Sequence, residues 1–283
     1  MYDFQQWWQH LPQNISPVIF EIGGFKLQYY GLMYIVAFAI TYGLVIYRPR
    51  RDCFDYAPEM VQDLMVWLIV GTIIGGRLGY VLFYDPGYFM RHPWKIFLPV
   101  DFSQGFRFVG ISGMSYHGGM VGVFVAMWLY GRHTGRTFFQ VTDFLAPLVP
   151  LGLGAGRLGN FINGELWGRP TDMPWGMVFP WVDALPRHPS MLYEFFLEGI
   201  LFFIILWVFS SRPRPTMAVS GLYLLCYGVF RFLVEFVREP DAHLGYLAFG
   251  WLTMGHVLTL PMIAFGIAFM VYAYRRRDGA ISW

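Results

Sequence analysis

Long apolar stretches, separated by polar connections of very different lengths, give the chain its hydrophobic pattern. Seven stretches are long enough to cross a bilayer, because about 20 apolar residues in a helix span the hydrocarbon core. They lie at about 28–47, 60–84, 114–131, 138–158, 191–210, 218–237 and 250–274. The pattern predicts an all-α polytopic integral membrane protein with seven transmembrane helices, and a single transmembrane domain over residues 1–283.

The basic residues are unevenly distributed among the connections. Four short connections carry arginines: Arg48, Arg50 and Arg51; Arg132 and Arg136; Arg212 and Arg214; and Arg275, Arg276 and Arg277. The alternate flanks, which include the long loops 85–113 and 159–190, carry far fewer for their length. Because short basic loops stay in the cytoplasm, we expect the amino terminus outside, the carboxyl terminus inside, and both long loops on the outer, periplasmic face.

Composition supports this class and excludes several others. Of the 283 residues, 56% are hydrophobic, 20% are aromatic and only 13% are charged. This balance is typical of a membrane protein, and the aromatic residues of the two long loops are expected at the head-group level. Two cysteines, Cys53 and Cys226, are too few for a disulfide framework, and residues 1–22 lack the basic region of a signal peptide. No metal-ligand spacing or nucleotide loop is present, so no cofactor and no nucleic-acid partner is expected.

The run 154–168, GAGRLGNFINGELWG, places four polar side chains at the end of an apolar span. An arginine at the lipid boundary costs on the order of 3 kcal/mol, so Arg157 indicates a functional site. If the helix continues, Arg157, Asn160 and Asn163 share one face, with Glu165 just beyond it. A planar guanidinium beside amide donors suits a phosphate group. The alternative is a helix–helix clamp in which Arg157 pairs with an internal carboxylate.

A second arginine lies inside the sixth span. Arg231 is followed by Glu235 four residues later and by Arg238 after three more, which gives a ladder of alternating charge on one helix face. Arg231 therefore either contacts a ligand or braces the bundle through Glu235. Glu194 and Glu198, one turn apart in the fifth span, are interpreted as buried partners for arginines.

Two further side chains are predicted at the outer ends of helices. His117 opens the third span at the expected depth of Arg157, and its titration range suits the removal of a proton; the alternatives are a positioning or packing role. Tyr30 opens the first span, where its phenol can donate to an anion or simply belong to the interfacial aromatic belt. Arg77, deep in the second span, is interpreted as a paired structural charge, with Asp63, Asp143, Glu194 and Glu198 as candidate partners.

Cations and amides that face the outer leaflet, without a protein nucleophile beside a base, fit a phospholipid head group as substrate and a nucleophile that a second substrate supplies. A lipid transporter or scramblase is the alternative function, but its polar residues would cross the whole membrane. An intramembrane protease needs a serine–histidine or paired-aspartate arrangement, which the spans do not contain.

Several motifs together resemble the prolipoprotein diacylglyceryl transferase family over nearly the whole chain. They are HGG at 117–119, GAGRLGNFINGELWGRP at 154–170, RHPSMLYE at 187–194, YGVFRFLVEFVREPD at 227–241, YYGLMY at 29–34 and GGRLGYVLFY at 75–84. The resemblance implies a transferase in the bacterial cytoplasmic (inner) membrane. It would move the diacylglyceryl group of phosphatidylglycerol to the lipobox cysteine thiol of a preprolipoprotein. A thioether would form and glycerol phosphate would leave, which is the first step of lipoprotein maturation.

The resemblance also implies roles for individual residues. Arg157 matches the phosphatidylglycerol-binding arginine, and Arg231 matches a second essential arginine. Other site positions of the family fall on His117, Tyr30, Asn160 and Gly168. We therefore predict that phosphatidylglycerol is bound by Arg157, Asn160, Gly168 and Glu165, and that His117, Arg231 and Tyr30 are catalytic.

Overall fold

A computed structural model describes residues 4–22, 25–52, 58–96, 100–101, 107–108, 113–240 and 245–276. The chain divides into two compact units. Unit 1 comprises Met1–Phe54 and Asp143–Trp283, and unit 2 comprises Asp55–Thr142.

Helices form most of the described structure. Their bounds are α1 Phe4–Gln9, α2 Tyr29–Asp52, α3 Pro58–Phe83, α4 Pro86–Arg91, α5 Tyr116–Thr134, α6 Phe138–Leu145, α7 Val149–Asn163, α8 Ser190–Glu194, α9 Phe202–Phe209, α10 Ala218–Glu235 and α11 Met254–Arg276. A π-helical segment, Phe195–Leu201, joins α8 to α9, and 3₁₀ turns lie at Leu11–Asn14, Pro93–Ile96 and Ala146–Leu148. Three antiparallel two-stranded sheets lie in the connections: β1 Val18–Ile22 with β2 Phe25–Gln28, β3 Val100–Asp101 with β4 Arg107–Phe108, and β5 Met177–Val178 with β6 Pro186–Arg187.

Six helical stretches of the described chain are long and apolar enough to cross a membrane. They are Tyr29–Arg48, Glu59–Phe83, Phe138–Asn163, Ser190–Phe209, Ala218–Glu235 and Met254–Arg276. Each falls on one of the seven predicted spans, so the prediction of an all-α polytopic membrane protein is confirmed. The third predicted span corresponds to α5, a 19-residue helix that is not among the six. This short helix includes His117 in its first turn and Arg132 and His133 in its last, and these polar side chains lower its mean hydropathy.

In unit 2, glycines let α3 and α5 pack with their backbones in close contact. A Cβ atom added to Gly75 would lie 2.6 Å from the Cα of Gly122, and one added to Gly79 would lie 2.6 Å from the Cα of Gly118. Glycines spaced four apart on both helices therefore make this approach possible, as in many membrane helix pairs.

Arg77 belongs to unit 2, near the end of α3. It donates hydrogen bonds to the backbone carbonyls of Ile96 at 2.5 Å, Lys95 at 2.7 Å and Gly113 at 3.1 Å, and its guanidinium lies 5.0 Å from the Phe89 ring centroid. These contacts fix the residues that follow α4, and the carboxylate partner expected from the sequence stays a prediction.

In unit 1, Asp143 anchors the start of α10. Its buried carboxylate accepts hydrogen bonds from Met217 N at 2.6 Å and from both N and Oγ of Ser220, at 2.7 and 2.5 Å. A negative group at a helix N-terminus satisfies free N–H groups and complements the helix dipole. The fully buried Arg48 donates to the Phe144 carbonyl beside it. The start of α10 is thereby fixed, and with it the helix that carries Arg231.

Candidate functional site

Helix α7 ends at Asn163, and the glycine that follows caps it. Gly164 adopts a left-handed conformation (φ +66°) as the C-cap, and its N–H returns to the carbonyls of Asn160 and Phe161. The Trp181 indole donates to the Gly164 carbonyl at 3.0 Å and packs where a side chain on Gly164 would lie. The helix continues through Asn163, five residues beyond the predicted end of the span at 158, so Arg157, Asn160 and Asn163 lie along one helical stripe.

A pair of glycines brings α7 against the π-helical segment. A Cβ added to Gly199 would lie 2.8 Å from the Cα of Gly154, and one added to Gly154 would lie 3.1 Å from the Cα of Gly199. Arg157 follows Gly154 by almost one turn, and Glu198 directly precedes Gly199. The close backbone contact therefore places the guanidinium and the carboxylate within reach of each other.

Five charged side chains form a continuous ion-pair cluster: Glu198, Arg157, Glu194, Arg231 and Glu235. Arg157 contacts Glu198 through Nη2 at 3.0 Å and Glu194 through Nε at 3.1 Å. Arg231 contacts the other oxygen of Glu194 through Nη1 at 2.5 Å and Glu235 through Nη2 at 2.7 Å. The two arginines are thus joined by one carboxylate, which confirms the interpretation of Glu194 and Glu198 as buried partners of arginines.

Burial differs sharply between the anions and the cations of the cluster. The carboxylate side chains are 0–6% exposed, whereas those of Arg157 and Arg231 are 20% and 13% exposed. Within the described chain, Nη1 of Arg157 has no hydrogen-bond or ion-pair partner. The carboxylates therefore support the arginines from within, and Arg157 retains N–H groups for a ligand.

Glu165 gathers the two asparagines of the α7 stripe. Its Oε2 accepts from Asn160 Nδ2 and its Oε1 from Asn163 Nδ2, both at 3.3 Å. The amide of Asn160 is buried, and Oδ1 of Asn163 is a buried acceptor without a partner among the described residues. The amides predicted to surround a phosphate are therefore held in place by the one acidic residue of the run.

Gly168 is required by backbone packing. A Cβ there would lie 2.5 Å from the Val237 carbonyl oxygen and 2.6 Å from that of His188. Its N–H donates to the His188 carbonyl at 2.9 Å, and it forms an isolated β-bridge with Arg238. Any side chain would separate the segment after α7 from the segments that carry Glu194 and Arg231.

Arg187 and His188 stabilise the loop that precedes α8. Arg187 contacts Asp183 at 2.6 Å and Glu239 at 3.0 Å, and it donates to the Gly168 carbonyl at 3.1 Å. The hydrogen bond from Arg187 holds the pKa of the Asp183 carboxyl below its ordinary value, and the same contact raises the pKa of Arg187. Burial, with the nearby charge of Arg169, lowers the pKa of His188, which favours the neutral imidazole.

Tyr30 and His117 lie in different units. Tyr30, at the start of α2 in unit 1, is half-buried; its ring packs at Gly159 of α7, and its hydroxyl is 3.1 Å from that of Tyr34. His117 is the second residue of α5 in unit 2, is exposed, and lies 5.7 Å from the Tyr116 ring, centroid to centroid. Glu194 links Arg157 to Arg231 within unit 1. The role of His117, which lies in unit 2, stays a prediction.

The sequence interpretation missed the residues that hold Glu235. The Thr253 hydroxyl donates to Glu235 Oε1 at 2.8 Å, and Gly255 packs directly on the carboxylate. A threonine near the start of the last apolar stretch is a common helix N-cap and could have indicated the start of α11. Its contact with a residue 18 positions earlier has no such local sign.

Among the described residues, no group of three or more His, Cys, Asp or Glu side chains is placed to hold a metal ion.

The chain is similar to known proteins along almost its whole length. A family model described as prolipoprotein diacylglyceryl transferase matches residues 17–272. Proteins named phosphatidylglycerol–prolipoprotein diacylglyceryl transferase match from Pseudomonas paraeruginosa, at 54% identity over 93% of this chain and 95% of the relative, and from Coxiella burnetii, at 53% identity over 94% and 98%. One from Ectopseudomonas mendocina is 53% identical over 93% and 96%.

Proposed function

We propose that this chain, which belongs to the prolipoprotein diacylglyceryl transferase family, transfers the diacylglyceryl group of phosphatidylglycerol to a cysteine thiol of a prolipoprotein. The observation that carries the proposal is the pair of arginines on one buried carboxylate, within a region that the family model covers. The acceptor cysteine would be that of a lipobox, and the reaction would be the first step of lipoprotein maturation.

The proposed chemistry needs no nucleophile from this chain. The acceptor sulfur attacks the carbon of the diacylglyceryl group that is bonded to the phosphate oxygen, and a C–S thioether bond forms. The bond between that carbon and the phosphate oxygen breaks, and its electrons pass to the oxygen. Glycerol phosphate leaves, and the thiol proton passes to a base. Because negative charge grows on the departing phosphate, fixed cations beside it lower the barrier.

In our proposal, Arg157 and Arg231 have different roles in the reaction. Arg157 binds the phosphate of phosphatidylglycerol through the N–H groups that the cluster leaves free, beside Asn160 and Glu165, and Gly168 keeps the adjoining segments together. Arg231 stabilises the phosphate as it departs. Its two carboxylate contacts fix its position before the substrate binds, so little reorganisation is needed during the reaction.

Tyr30 and His117 complete the proposed catalytic set. Tyr30 supplies a phenol at the start of α2, beside α7, where it can donate to the head group. His117 either accepts the thiol proton or positions the reacting groups; its exposed ring is available for both roles.

We place this site toward the outer leaflet of the bacterial cytoplasmic membrane, with the amino terminus outside and the carboxyl terminus inside. The basic short connections support this orientation. A single transmembrane domain over residues 1–283, with the loops 85–113 and 159–190 outside, remains part of the proposal.

One experiment tests the function and its rival. Purified protein in lipid nanodiscs is given phosphatidylglycerol labelled in its acyl chains and a peptide with a lipobox cysteine. We expect labelled peptide and free glycerol phosphate in equal amounts, and no product from a peptide with serine in place of cysteine. A scramblase would instead move labelled lipid between the leaflets of a vesicle without modifying the peptide, and that result would overturn the proposal.

A further inference from the structure

The first turn of α11 converges on Glu235, a residue to which the proposed function gives no role beyond its contact with Arg231. Three features meet there: the hydroxyl of Thr253, the bare backbone of Gly255, and the N-terminal end of a 23-residue helix. Glu235 is buried, 5% exposed as a whole residue. A buried carboxylate needs such compensation, because each ion moved out of water costs several kcal/mol.

Thr253 is oriented by a reciprocal pair of hydrogen bonds with His256. The backbone N–H of His256 donates to Thr253 Oγ1 at 3.4 Å, and the backbone N–H of Thr253 donates to His256 Nδ1 at 3.2 Å. This is the pattern of a capping box, with histidine in the place where glutamate usually stands. The Thr253 hydroxyl has two neighbouring acceptors for its one proton, His256 Nδ1 at 3.0 Å and Glu235 Oε1 at 2.8 Å. Because Nδ1 already accepts from the Thr253 N–H and the carboxylate is the charged acceptor, we assign the proton to Glu235.

Gly255 leaves the room that the carboxylate occupies. A Cβ atom added there would lie 2.5 Å from Oε1 and 2.6 Å from Oε2 of Glu235. Atoms at that separation cannot coexist, so any larger residue would displace the carboxylate. Glu235 therefore lies directly on the first turn of α11, where the helix dipole favours a negative charge.

We propose that Thr253 and Gly255 are positioning residues for the transfer reaction: they seat the Glu235 carboxylate, which in turn holds Arg231 in line with the departing phosphate. This inference rests on the proposed function. The chain of contacts is direct, from Thr253 Oγ1 to Glu235 Oε1 at 2.8 Å and from Glu235 Oε2 to Arg231 Nη2 at 2.7 Å. Glu194 holds the other terminal nitrogen of Arg231, so loss of the Glu235 contact would leave the guanidinium free to rotate about Glu194.

The expected effect is on the rate of transfer and not on lipid binding. Arg157 binds the phosphate of the bound lipid, whereas Arg231 acts on the charge that develops in the transition state. A misplaced Arg231 should therefore lower kcat and leave KM for phosphatidylglycerol nearly unchanged. We expect Thr253→Val, which keeps the shape and loses the hydroxyl, to lower kcat about tenfold, equivalent to about 1.4 kcal/mol in the barrier.

The conservative and control variants show whether the effect belongs to the hydroxyl of Thr253 or follows the loss of any buried threonine hydroxyl on this helix. Thr253→Ser retains the hydroxyl and should restore kcat to within about twofold of wild type, a free-energy difference below 0.5 kcal/mol. Thr259→Val is the matched control, because Thr259 lies on the same helix, is 3% exposed, and donates only to the His256 carbonyl at 2.8 Å. It should leave kcat unchanged. Gly255→Ala should lower kcat by an independent route, through displacement of the carboxylate.

Each result of these experiments either supports or overturns the positioning role of Thr253. Full activity of Thr253→Val, or an equal loss in Thr259→Val, would overturn the positioning role. A second readout does not depend on activity: a double-mutant cycle of Thr253→Val with Glu235→Gln on the unfolding midpoint, in which coupling is expected and additivity would contradict the contact. If the wild-type protein itself moved no diacylglyceryl group, the proposed function would fail while the cycle still reported on the Thr253–Glu235 contact.

Discussion

Glu194 contacts both arginines, one with each carboxylate oxygen, and this single residue determines how the site responds to substitution. With Glu198 and Glu235 the cluster contains three buried carboxylates and two arginines. Each arginine therefore neutralises more than one anion, and removal of either cation leaves buried charge without a partner. Loss of one partner of a buried ion pair typically costs about 3–5 kcal/mol. Substitutions in the cluster should be designed to separate this structural cost from catalysis.

Arg157→Lys should lose at least about 99% of the transfer activity while the protein still folds. A lysine keeps the positive charge but offers one ammonium group, which cannot contact Glu194, Glu198 and a phosphate at once with the planar geometry of a guanidinium. The measurement is peptide transfer by purified protein in nanodiscs, with the unfolding midpoint as the control for folding. Wild-type turnover in this variant would remove Arg157 from the phosphate site.

Arg231→Ala should lower turnover far more than it weakens phosphatidylglycerol binding, because in the proposed reaction Arg231 acts mainly on charge that develops in the transition state. It should also lower stability, since Glu194 and Glu235 lose a shared partner. The double variant Arg231→Ala with Glu235→Gln should regain part of that stability without regaining turnover. If both binding and turnover stayed intact, Arg231 would serve only to brace the helix bundle.

The pH dependence of transfer activity distinguishes the two roles considered for His117, a base for the thiol proton and a positioning residue. A thiol with a pKa of about 8.5 is only a few per cent ionised at neutral pH, so a base there contributes about a hundredfold. If His117 is the base, His117→Gln should be slow at pH 7 and recover as the pH rises past the pKa of the thiol, because the thiolate then forms without help. A variant that is uniformly slow across this range would assign His117 a positioning role, and an unimpaired variant would place it outside the site.

At the scale of helices and strands, the contact between Gly154 of α7 and Gly199 of the π-helical segment sets the distance between Arg157 and its carboxylates. The two backbones meet with no side chain between them. A methyl group at this point cannot be accommodated by the rotation of a flexible side chain, since the neighbouring atom belongs to the backbone. The ion-pair cluster therefore depends on the packing of two helices as much as on its own charges.

Gly199→Ala should lower both stability and transfer activity, because its Cβ would lie 2.8 Å from the Gly154 Cα. Insertion of extra atoms into a packed contact typically costs about 1–3 kcal/mol. The matched control is Gly156→Ala on α7, where an added Cβ meets nothing within 4 Å, and we expect little change there. The readouts are the unfolding midpoint and the rate of peptide transfer. Equal behaviour of the two variants would show that the helix contact does not control the site.

The sequence predicted these elements where the physical signal is local. Apolar length identified the spans, although α7 continues beyond the predicted end at 158 to Asn163, where Gly164 caps it. The i,i+4 spacing of Arg231 and Glu235 indicated their ion pair, which the structure confirms at 2.7 Å. The π-helical register of Phe195–Leu201 could not be predicted, because a change in backbone hydrogen bonding leaves no mark in composition. Likewise, the contacts of Glu194 with two different helices, and of Glu235 with Thr253, depend on tertiary packing that no spacing rule expresses.

At the scale of the whole molecule, the distribution of arginines determines how the chain should lie in the membrane. Arginines lie in every second flank of the apolar spans, at 48–51, 132–136, 212–214 and 275–277. Translocation of such short basic connections is unfavourable, so all four should stay on the cytoplasmic side. The segment 159–190, which includes the end of α7 and leads into α8, would then face outward, where an exported acceptor cysteine could reach Arg157.

Single cysteines test this orientation in a background that lacks the native thiols, Cys53→Ser with Cys226→Ala. Asp172→Cys, in the 159–190 loop, should react in intact cells with a membrane-impermeant thiol reagent. Asp278→Cys, which follows the last group of arginines, should react only after the membrane is permeabilised. Retained transfer activity in each variant shows that the thiol reports on the native fold. Equal labelling of both positions from outside would contradict the orientation, because it would place the carboxyl terminus on the outer side.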